Sequence, residues 1–436
     1  MVERRPEAGS TTPDEQHAAG ARTRPGRQAE PGSGAGVREL PRNVWAASAA
    51  SFFTDVSSEM ILNLLPLFMA NVLGLRTSLI GLVEGAAETT SSLLKLVSGR
   101  LSDRGGRRKW LAVAGYGIST VAKPGFALAS SWTGVAGARW LDRIGKGIRT
   151  APRDALVADS IGPRQRGLAF GFHRSADTAG AVVGLLVAIG VVWHLQAGAR
   201  TLDGDVFATL VWLSLVPALL GVVSLATVAR DVPRPADGAA ASQPTRSLGR
   251  PFFLFLGIVG IFELGNSADA FLVLRAQERG LSVLGILGVL LAFNVVYALV
   301  ATPAGRLSDR LGRRPVLGMG WALYALVYLG FALAEQPWHS AVLYAAYGGY
   351  YGLAYGTAKA LVADLVPAAQ RGTAYGAYNA TVGILGLPAS LLAGILWEGV
   401  GPWHGFGPSA PFVLGAALAG VASLALTAWR PPTAAS

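Results

Sequence analysis

The chain of 436 residues contains no cysteine, and charged residues make up only 14% of it. The absence of cysteine excludes a disulfide framework, a thiol nucleophile and a metal site with cysteine ligands. Charged residues reach about 25% in an ordinary soluble protein, whereas hydrophobic residues make up 52% of this chain. Such a chain has too few polar residues to cover the surface of a soluble globular enzyme, and it is too apolar to be disordered throughout.

Signatures of enzyme chemistry are also missing. The five histidines are scattered and form no H-E-x-x-H motif, so we expect neither a metal nor a cofactor. Gly145-Lys146-Gly147 lacks the upstream glycine spacing and the following Ser or Thr of a phosphate-binding loop, which excludes an ATP-driven pump. We therefore expect a protein that is not an enzyme.

The apolar residues are grouped into long runs. A helix needs about 20 residues to cross the hydrocarbon core of a bilayer, and twelve runs after residue 42 are long enough. We call them spans 1 to 12 in chain order. They cover residues 44–72, 79–98, 110–130, 134–159, 167–192, 208–229, 252–275, 282–304, 315–334, 340–365, 372–397 and 409–429.

The runs divide the chain into two halves of six spans. Residues 230–250 form the longest internal polar stretch, and their Pro, Ala and Ser content predicts a flexible cytoplasmic linker. We expect an N-terminal bundle at 43–229 and a C-terminal bundle at 251–430. Cytoplasmic tails are expected at 1–42, which is predicted to be disordered, and at 431–436.

Basic residues cluster in the loops on one side of the predicted bundle. Five lie within 100–109 after span 2 and four within 306–314 after span 8, whereas Arg76 and Arg200 are isolated in loops of the other side. Because Lys and Arg hold short loops in the cytoplasm, both termini are expected to be cytoplasmic. The formal net charge of +11 is thus explained by orientation and contact with membrane lipid, and nucleic acid is not expected as a partner.

The two halves repeat each other in sequence. The segment "SGRLSDRGGRR" at Ser98–Arg108 recurs as "AGRLSDRLGRR" at Ala304–Arg314, 206 residues later. The segment "ALVAD" at Ala155–Asp159 recurs at Ala360–Asp364 with an offset of 205. Since six is an even number, both halves have the same orientation, and the repeat axis lies along the membrane normal.

These repeated segments resemble the signature loops of the major facilitator superfamily of secondary transporters. Arg143-x-x-Lys146-Gly147 is similar to a second motif of that family, with Lys146 where Gln is common. "AGAVVG" at Ala179–Gly184 is similar to the helix-5 motif of its drug–proton antiporters, with Ala181 in place of the central Pro. The chain resembles a little-characterised prokaryotic branch near those antiporters.

The resemblance implies an all-α membrane protein with twelve transmembrane helices in two pseudo-symmetric six-helix bundles. It also implies that the signature residues latch the two halves together in one conformation and release them in the other. The alternative is that they serve only as a topology signal. The signature residues are Gly99, Asp103, Arg104, Gly106 and Arg107 in the first loop and Gly305, Asp309, Arg310, Gly312 and Arg313 in the second.

Charged residues inside the spans are the candidates for a substrate or proton pathway. A charge at bilayer depth costs on the order of 2.5–3.5 kcal/mol, so such residues usually face a cavity, a partner or a pathway. Glu84 and Glu88 lie on one face of span 2 and repel each other, so one is expected to keep a proton or to be compensated by Lys95. The alternative is a buried ion pair that holds helices together. The candidates are Asp55, Glu59, Glu84, Glu88, Arg143, Lys146, Arg149, Arg174, Asp177, Asp269 and Lys359.

Span 4 carries the densest set of these charges. At about 100° per residue, its seven charged side chains fall within an arc of about 140°, and the stripe has a net charge of +3. In span 5, Asp177 is spaced to pair with His173 or Arg174, and His173 is expected near the cytoplasmic surface. When the two halves are aligned by the repeat, Asp269 corresponds to Glu59 and Lys359 corresponds to Asp154.

The sequence favours a transporter of a small molecule in the plasma membrane, working by alternating access. Two directions of transport stay open. One is proton-coupled efflux of a drug-like or siderophore-like compound, and the other is uptake or exchange of an organic anion bound by the cationic face of span 4. Glu59, Glu88, Asp177 and Asp269 are the candidate proton carriers, because burial favours the neutral form of a carboxyl group. We expect a monomer.

Overall fold

The structure, a computed structural model, describes residues 37–105, 107–161, 166–232, 248–367 and 370–429. Within these residues all twelve predicted spans contain helix, and ten of them are continuous helices. Spans 2 to 6 are the helices Thr77–Gly105, Arg108–Leu128, Trp132–Asp159, Arg166–Gln196 and Gly204–Val228. Spans 8 to 12 are the helices Val283–Leu311, Arg313–Leu333, Pro337–Leu365, Arg371–Glu398 and Ala410–Ala428.

Spans 1 and 7 are broken, which the sequence did not predict. Span 1 consists of the helix Arg42–Glu59, a turn at 60–64, the short helix Leu65–Leu67 and a π-helical turn at Phe68–Val72. Span 7 consists of the helices Arg250–Gly265 and Ala270–Glu278. The breaks occupy corresponding positions in the two halves, and unwound backbone at this depth is tolerated where it lines a cavity.

The packing pattern within each half is the same. Span 1 packs against spans 5 and 6, and span 4 packs against spans 2 and 3; span 3 also packs against span 6. In the second half the same pairs recur six spans later, as 7 with 11 and 12, 10 with 8 and 9, and 9 with 12. Spans 2 and 11, and spans 5 and 8, join the halves. The prediction of two pseudo-symmetric six-helix bundles is therefore confirmed.

Glycines allow spans 2 and 11 to approach closely. A Cβ atom added at Gly85 would lie 2.9 Å from the Cα atom of Leu387, and one added at Gly383 would overlap the Cβ atom of Ser92. Helices with such small residues at their interface pack backbone against backbone. This interface between the halves consequently has no room for larger side chains at those positions.

The outer surface of the bundle is apolar. Large exposed side chains such as Val121, Leu219, Leu326 and Leu424 project from spans 3, 6, 9 and 12. Seven helices in the described part are long and apolar enough on their own to cross a membrane. The others are spans 1–4 and 10. Spans 1, 2, 4 and 10 carry many of the polar side chains that line the cavity described below, and such side chains lower the mean hydropathy of a helix.

The signature segments are mostly helical rather than loops. Gly99 belongs to span 2 and Gly305, Asp309 and Arg310 to span 8, and the turn between spans 8 and 9 is made by Gly312 with φ +94°. A positive φ at this point favours glycine. The side chains of Asp103 and Arg104, the residue Gly106, and the predicted tail and linker at 1–36, 233–247 and 430–436 lie outside the described residues.

Candidate functional site

A cavity of about 610 Å³ lies between the two halves. Polar and charged side chains of spans 1, 2 and 4 line one side, which we call the N wall, and residues of spans 7 to 11 line the other, the C wall. Nine of the eleven predicted pathway residues line it. They are Asp55, Glu59, Glu84, Glu88, Arg143, Lys146, Arg149, Asp269 and Lys359.

The N wall is charged and contains no aromatic residue among its described lining side chains. Five of its residues are acidic and five are basic. They are Asp55, Glu59, Glu84, Glu88 and Asp142, and Lys95, Arg139, Arg143, Lys146 and Arg149. The carboxylates of spans 1 and 2 thus offset the excess positive charge that span 4 has by itself.

Ion pairs connect spans 2 and 4 on this wall. Arg139 Nη2 lies 2.5 Å from Glu84 Oε2, and Arg143 Nη1 lies 3.6 Å from Glu88 Oε2. Arg139 Nη1 is also 3.8 Å from Asp142 Oδ2. The structure thus agrees with the alternative of ion pairs that hold helices together: each carboxylate has its own arginine, so neither depends on a shared proton or on Lys95.

Other charges of the N wall have only neutral partners or no close partner. Arg149 Nη1 donates to Ser119 Oγ at 2.6 Å, and its guanidinium lies 4.7 Å from the ring centre of Tyr116. Within the described chain, Asp55 and Lys146 have no oppositely charged side chain within 4 Å. These two groups are open to water or to a ligand in the cavity.

The C wall is aromatic. Its ring residues are Phe262, Phe293, Trp321, Tyr344, Tyr347, Tyr350, Tyr351, Tyr355 and Tyr378. Many of these rings also pack on one another, as in Tyr347 on Tyr350 with centroids 5.4 Å apart. The charged residues of this wall are Glu263, Asp269 and Lys359, and the ammonium group of Lys359 lies over the ring of Tyr355 at 4.3 Å.

A carboxylate and an amide meet at each helix break. Asn63 Nδ2 donates to Glu59 Oε2 at 2.6 Å in span 1, and Asn266 Nδ2 donates to Glu263 Oε2 at 3.0 Å in span 7. Glu263 lies 204 residues after Glu59, close to the repeat offset of 205. Glu263, and not Asp269 as predicted, is therefore the counterpart of Glu59, because the predicted match used an offset of 210.

Asp269 occupies the break of span 7 itself. Its side chain is exposed to the cavity, and Tyr347 donates its hydroxyl to Asp269 Oδ1 at 2.8 Å. The backbone N–H of Ala268 donates to Ser390 Oγ at 3.1 Å, which satisfies part of the unwound backbone. The break thus presents a carboxylate to the cavity on a fixed support.

Two predicted pathway residues, Arg174 and Asp177, lie outside the cavity lining. Arg174 Nη2 donates to the Tyr297 hydroxyl at 3.1 Å and so joins span 5 to span 8. Asp177 Oδ1 lies 3.8 Å from His173 Nε2, and Asp177 Oδ2 lies 4.0 Å from Arg174 Nη1, as the spacing predicted. His173 is only 5% exposed and lies within 3.5 Å of Ser48 and Ser51, so its predicted surface position is wrong.

Sequence reasoning missed several buried charges, Glu263 and Lys123 among them. Glu263 lines the cavity, and the repeat offset from Glu59 could have identified it. Lys123 is 1% exposed in span 3, outside the lining, and its ammonium group has no hydrogen-bond partner in the described chain. A lone lysine within an apolar run was the available signal for it.

The cavity is closed at one end. We call the end of the bundle with the signature segments the signature end and the other the opposite end. At the opposite end, the N–H of Thr77 donates to Glu398 Oε2 at 2.7 Å, and the N–H of Val283 donates to the carbonyl oxygen of Ala199 at 3.0 Å. Towards the signature end, Tyr355 lines the cavity and is 47% exposed. The cavity is therefore closest to water at the signature end.

The described signature residues pair within one half. Arg313 Nη1 lies 2.5 Å from Asp309 Oδ1, and Arg313 Nε lies 3.5 Å from Asp364 Oδ2 at the end of span 10. This arrangement ties spans 8, 9 and 10 together at the signature end.

Comparison with known sequences identifies close relatives of this chain. The family model described as Major Facilitator Superfamily matches residues 47–293 and 270–436. An uncharacterized MFS-type transporter of Methanocaldococcus jannaschii is 36% identical over 396 residues, which cover 89% of this chain and 95% of the relative. Multidrug resistance protein MdtG of Serratia proteamaculans is 24% identical over 313 residues, which cover 69% and 74% of the two chains.

Comparison with solved structures gives the same fold. The crystal structure of a D-xylose–proton symporter superposes with a TM-score of 0.70 and covers 91% of this chain and 98% of its own. The two sequences are 19% identical, so this likeness concerns the fold alone.

Proposed function

The chain belongs to the Major Facilitator Superfamily, whose members are multi-pass membrane transporters and not enzymes, and on that premise we propose that it is a proton-coupled exporter of a drug-like or siderophore-like molecule. It works in the plasma membrane as a monomer surrounded by lipid, with both termini and the 230–250 linker in the cytoplasm. The signature end then faces the cytoplasm and the opposite end faces the outside.

Alternating access is supported by the position of the cavity between two pseudo-symmetric halves. Hydrogen bonds such as that from Thr77 to Glu398 close the opposite end, while the cavity extends to the exposed Tyr355 towards the signature end. A molecule entering from the cytoplasm would meet both walls before the halves rock. In the proposed cycle, the signature residues Asp103 and Asp309 hold the cytoplasmic ends together once the cavity faces outward.

Efflux is supported by the relative named a multidrug resistance protein and by the partial antiporter motif at Ala179–Gly184. The cavity volume of about 610 Å³ falls within the range of about 300–1,000 Å³ typical of sites for drug-sized ligands. Its lining combines charged and aromatic surfaces, which suits organic molecules better than small inorganic ions.

Proton coupling is supported by two carboxyl groups that line the cavity. Glu59 lines the cavity with Asn63 as its hydrogen-bond partner, and Asp269 lines it with Tyr347 as its partner. Within the described chain neither has a cation within 4 Å, so each can hold a proton without losing an ion pair. Glu88 and Asp177 are less suited as carriers, because each lies within 4 Å of a basic side chain.

Uptake or exchange of an organic anion is the second candidate function. The observation that favours it is Lys146, which lines the cavity without a carboxylate within 4 Å among the described residues. In that case Lys146 would bind the anion together with Arg143 and Arg149.

The test is counterflow and gradient-driven flux in proteoliposomes, with aromatic cations, siderophore-like compounds and organic anions as substrates. We expect efflux-type exchange that an inward proton gradient accelerates, and that acceleration should be lost in Glu59→Gln. Glu335→Gln is the matched control, because this glutamate lies exposed at the opposite end, outside the cavity lining. Flux that ignores the pH gradient for every substrate would contradict proton coupling, and saturable flux of anions alone would favour the second candidate.

A further inference from the structure

We propose that the C wall is a binding site for an organic cation, with Asp269 as its counterion and the tyrosines of span 10 as its aromatic faces. The transported molecule would then carry a protonated amine or another cationic group on an aromatic frame. This inference rests on the proposed function and specifies the class of substrate.

The first observation is the contrast between the two walls. Acidic and basic side chains are equal in number on the N wall, and two of its arginines are already paired with Glu84 and Glu88. On the C wall, two carboxyl groups face a single lysine. The C wall is therefore the part of the cavity where a positive charge from outside the chain is most favoured.

The second observation is the state of those carboxyl groups. Asp269 is exposed to the cavity and accepts a hydrogen bond from the neutral hydroxyl of Tyr347. Glu263 is 7% exposed and accepts one from the neutral amide of Asn266. In the part of the chain that the structure describes, neither has a basic group within 4 Å. A carboxylate at this depth needs a proton or a cation, and a bound organic cation supplies the latter.

The third observation is the arrangement of rings around Asp269. Tyr347 carries the hydroxyl that binds Asp269, and it packs against Tyr350 at 5.4 Å and Tyr351 at 5.3 Å between ring centres. The faces of aromatic rings attract cations, by about 0.5–1 kcal/mol at exposed sites and about 2 kcal/mol or more when the cation is desolvated. A carboxylate next to several rings is thus complementary to a cation with an apolar frame.

The fourth observation is an unused polar group on the same wall. The hydroxyl of Tyr344 is buried, with the residue 2% exposed, and has no hydrogen-bond partner in the described chain. Tyr344 lines the cavity next to Tyr347, with ring centres 6.4 Å apart. An unpaired buried hydroxyl is costly, and a polar group of the ligand would satisfy it.

The position of Asp269 suits a site that must also release its ligand. It lies in the break of span 7, where the backbone depends on Ser390 of span 11 and on short-range turns rather than on a continuous helix. A small movement of span 11 relative to span 7 would shift the carboxylate. Span 11 also packs against span 2 of the other half, so a change at the interface between the halves can reach this carboxylate through span 11.

The experiment is equilibrium binding to the purified full-length protein, followed by fluorescence. The probes are ethidium as an aromatic cation, an uncharged phenanthridine of the same ring system, and fluorescein as an aromatic anion. Asp269→Asn should weaken ethidium binding by on the order of tenfold or more and leave the neutral probe unchanged. Asp205→Asn, an exposed carboxylate at the opposite end, should alter neither probe.

Ring and charge contributions are separated by a second pair of variants. Tyr351→Leu should weaken both ethidium and the neutral probe, since it removes an aromatic face, whereas Tyr351→Phe should preserve binding of both. Unchanged binding of the neutral probe also shows that Asp269→Asn is folded. Equal loss of both probes in Asp269→Asn, or tighter binding of fluorescein than of ethidium by the wild type, would overturn the cation site.

The binding and flux measurements together distinguish a failure of the cation site from a failure of the proposed exporter. Proton-driven flux of other substrates without ethidium binding would overturn the cation site alone. Ethidium binding that depends on Asp269, without flux of any probe in proteoliposomes, would support the cation site and overturn the exporter.

Discussion

The carboxylate of Glu398 at the end of span 11 binds the first residue of span 2: its Oε2 atom accepts the backbone N–H of Thr77 at 2.7 Å and the Thr77 hydroxyl at 3.1 Å. One side chain thus satisfies a free N–H at the start of a helix in the other half of the protein. Because this contact joins the halves at the closed end of the cavity, it must break for that end to open.

Removing this contact should shift the protein towards the outward-open conformation. Hydrogen bonds to charged groups contribute about 1.5–3 kcal/mol, so Glu398→Ala should raise the outward-open population by on the order of tenfold or more. The cysteine-free chain allows a single cysteine at Val273, a cavity residue near this end, to report opening. Its labelling by an impermeant thiol reagent in intact cells should accelerate in Glu398→Ala and stay unchanged in Glu335→Ala.

Topology can be tested with the same labelling. Single cysteines at Ser33, Ser242 and Ser436 should resist the impermeant reagent in intact cells and react after lysis, because we place the tails and linker in the cytoplasm. A cysteine at Phe406, which is exposed in the opposite-end segment 399–409, should react in intact cells. Labelling of Ser242→Cys from outside would reverse the proposed orientation.

The signature aspartates should control flux rather than insertion. Asp309→Asn weakens the pairing with Arg313, and we expect it and Asp103→Asn each to lower flux by about fivefold or more while abundance in the membrane stays near normal. Asp205→Asn serves as the control. If both signature variants keep full flux, the signature segments that recur in the two halves serve only as a topology signal.

The charges of span 4 should differ in their effect on flux. Arg143→Ala leaves Glu88 without its nearby cation, so we expect both weaker substrate affinity and an altered pH profile. Lys146→Gln breaks no ion pair within 4 Å in the described chain and should be milder, except towards anionic substrates. The measurement is flux against pH for the wild type and both variants. Identical profiles and affinities in all three would leave the span 4 charges with a structural role only.

The glycine interface of spans 2 and 11 makes a prediction about stability. A Cβ atom at Gly383 overlaps Ser92, so Gly383→Ala should destabilise the protein by about 1–3 kcal/mol and lower its Tm. Adding Ser92→Gly removes the overlapping atoms and should restore most of that loss. Gly420→Ala, where an added Cβ meets nothing within 4 Å, should have little effect. No rescue by Ser92→Gly would mean that the cost at Gly383 has another origin.

The broken helices show where sequence reasoning stopped. Apolar run length located spans 1 and 7 but not the unwinding at 60–64 and 266–269. Residues 60–64 are apolar except for Asn63, whereas the polar cluster at 266–269 was an available signal for a break in span 7. The breaks depend on partners from distant parts of the chain, such as Ser390 for the N–H of Ala268. The same distance in sequence hid the pairing of Glu84 with Arg139 and of Glu88 with Arg143.

The sequence by itself determined the number of spans, the two-fold repeat, the family and the helix faces that carry charge, because apolar run length and helical periodicity are local properties. Only the tertiary structure decided that span 4 meets the carboxylates of span 2 and that Asp177 lies outside the cavity. Those outcomes depend on how helices rotate and approach one another. Helix rotation is set by packing across the whole bundle, including glycine contacts such as Gly85 with Leu387.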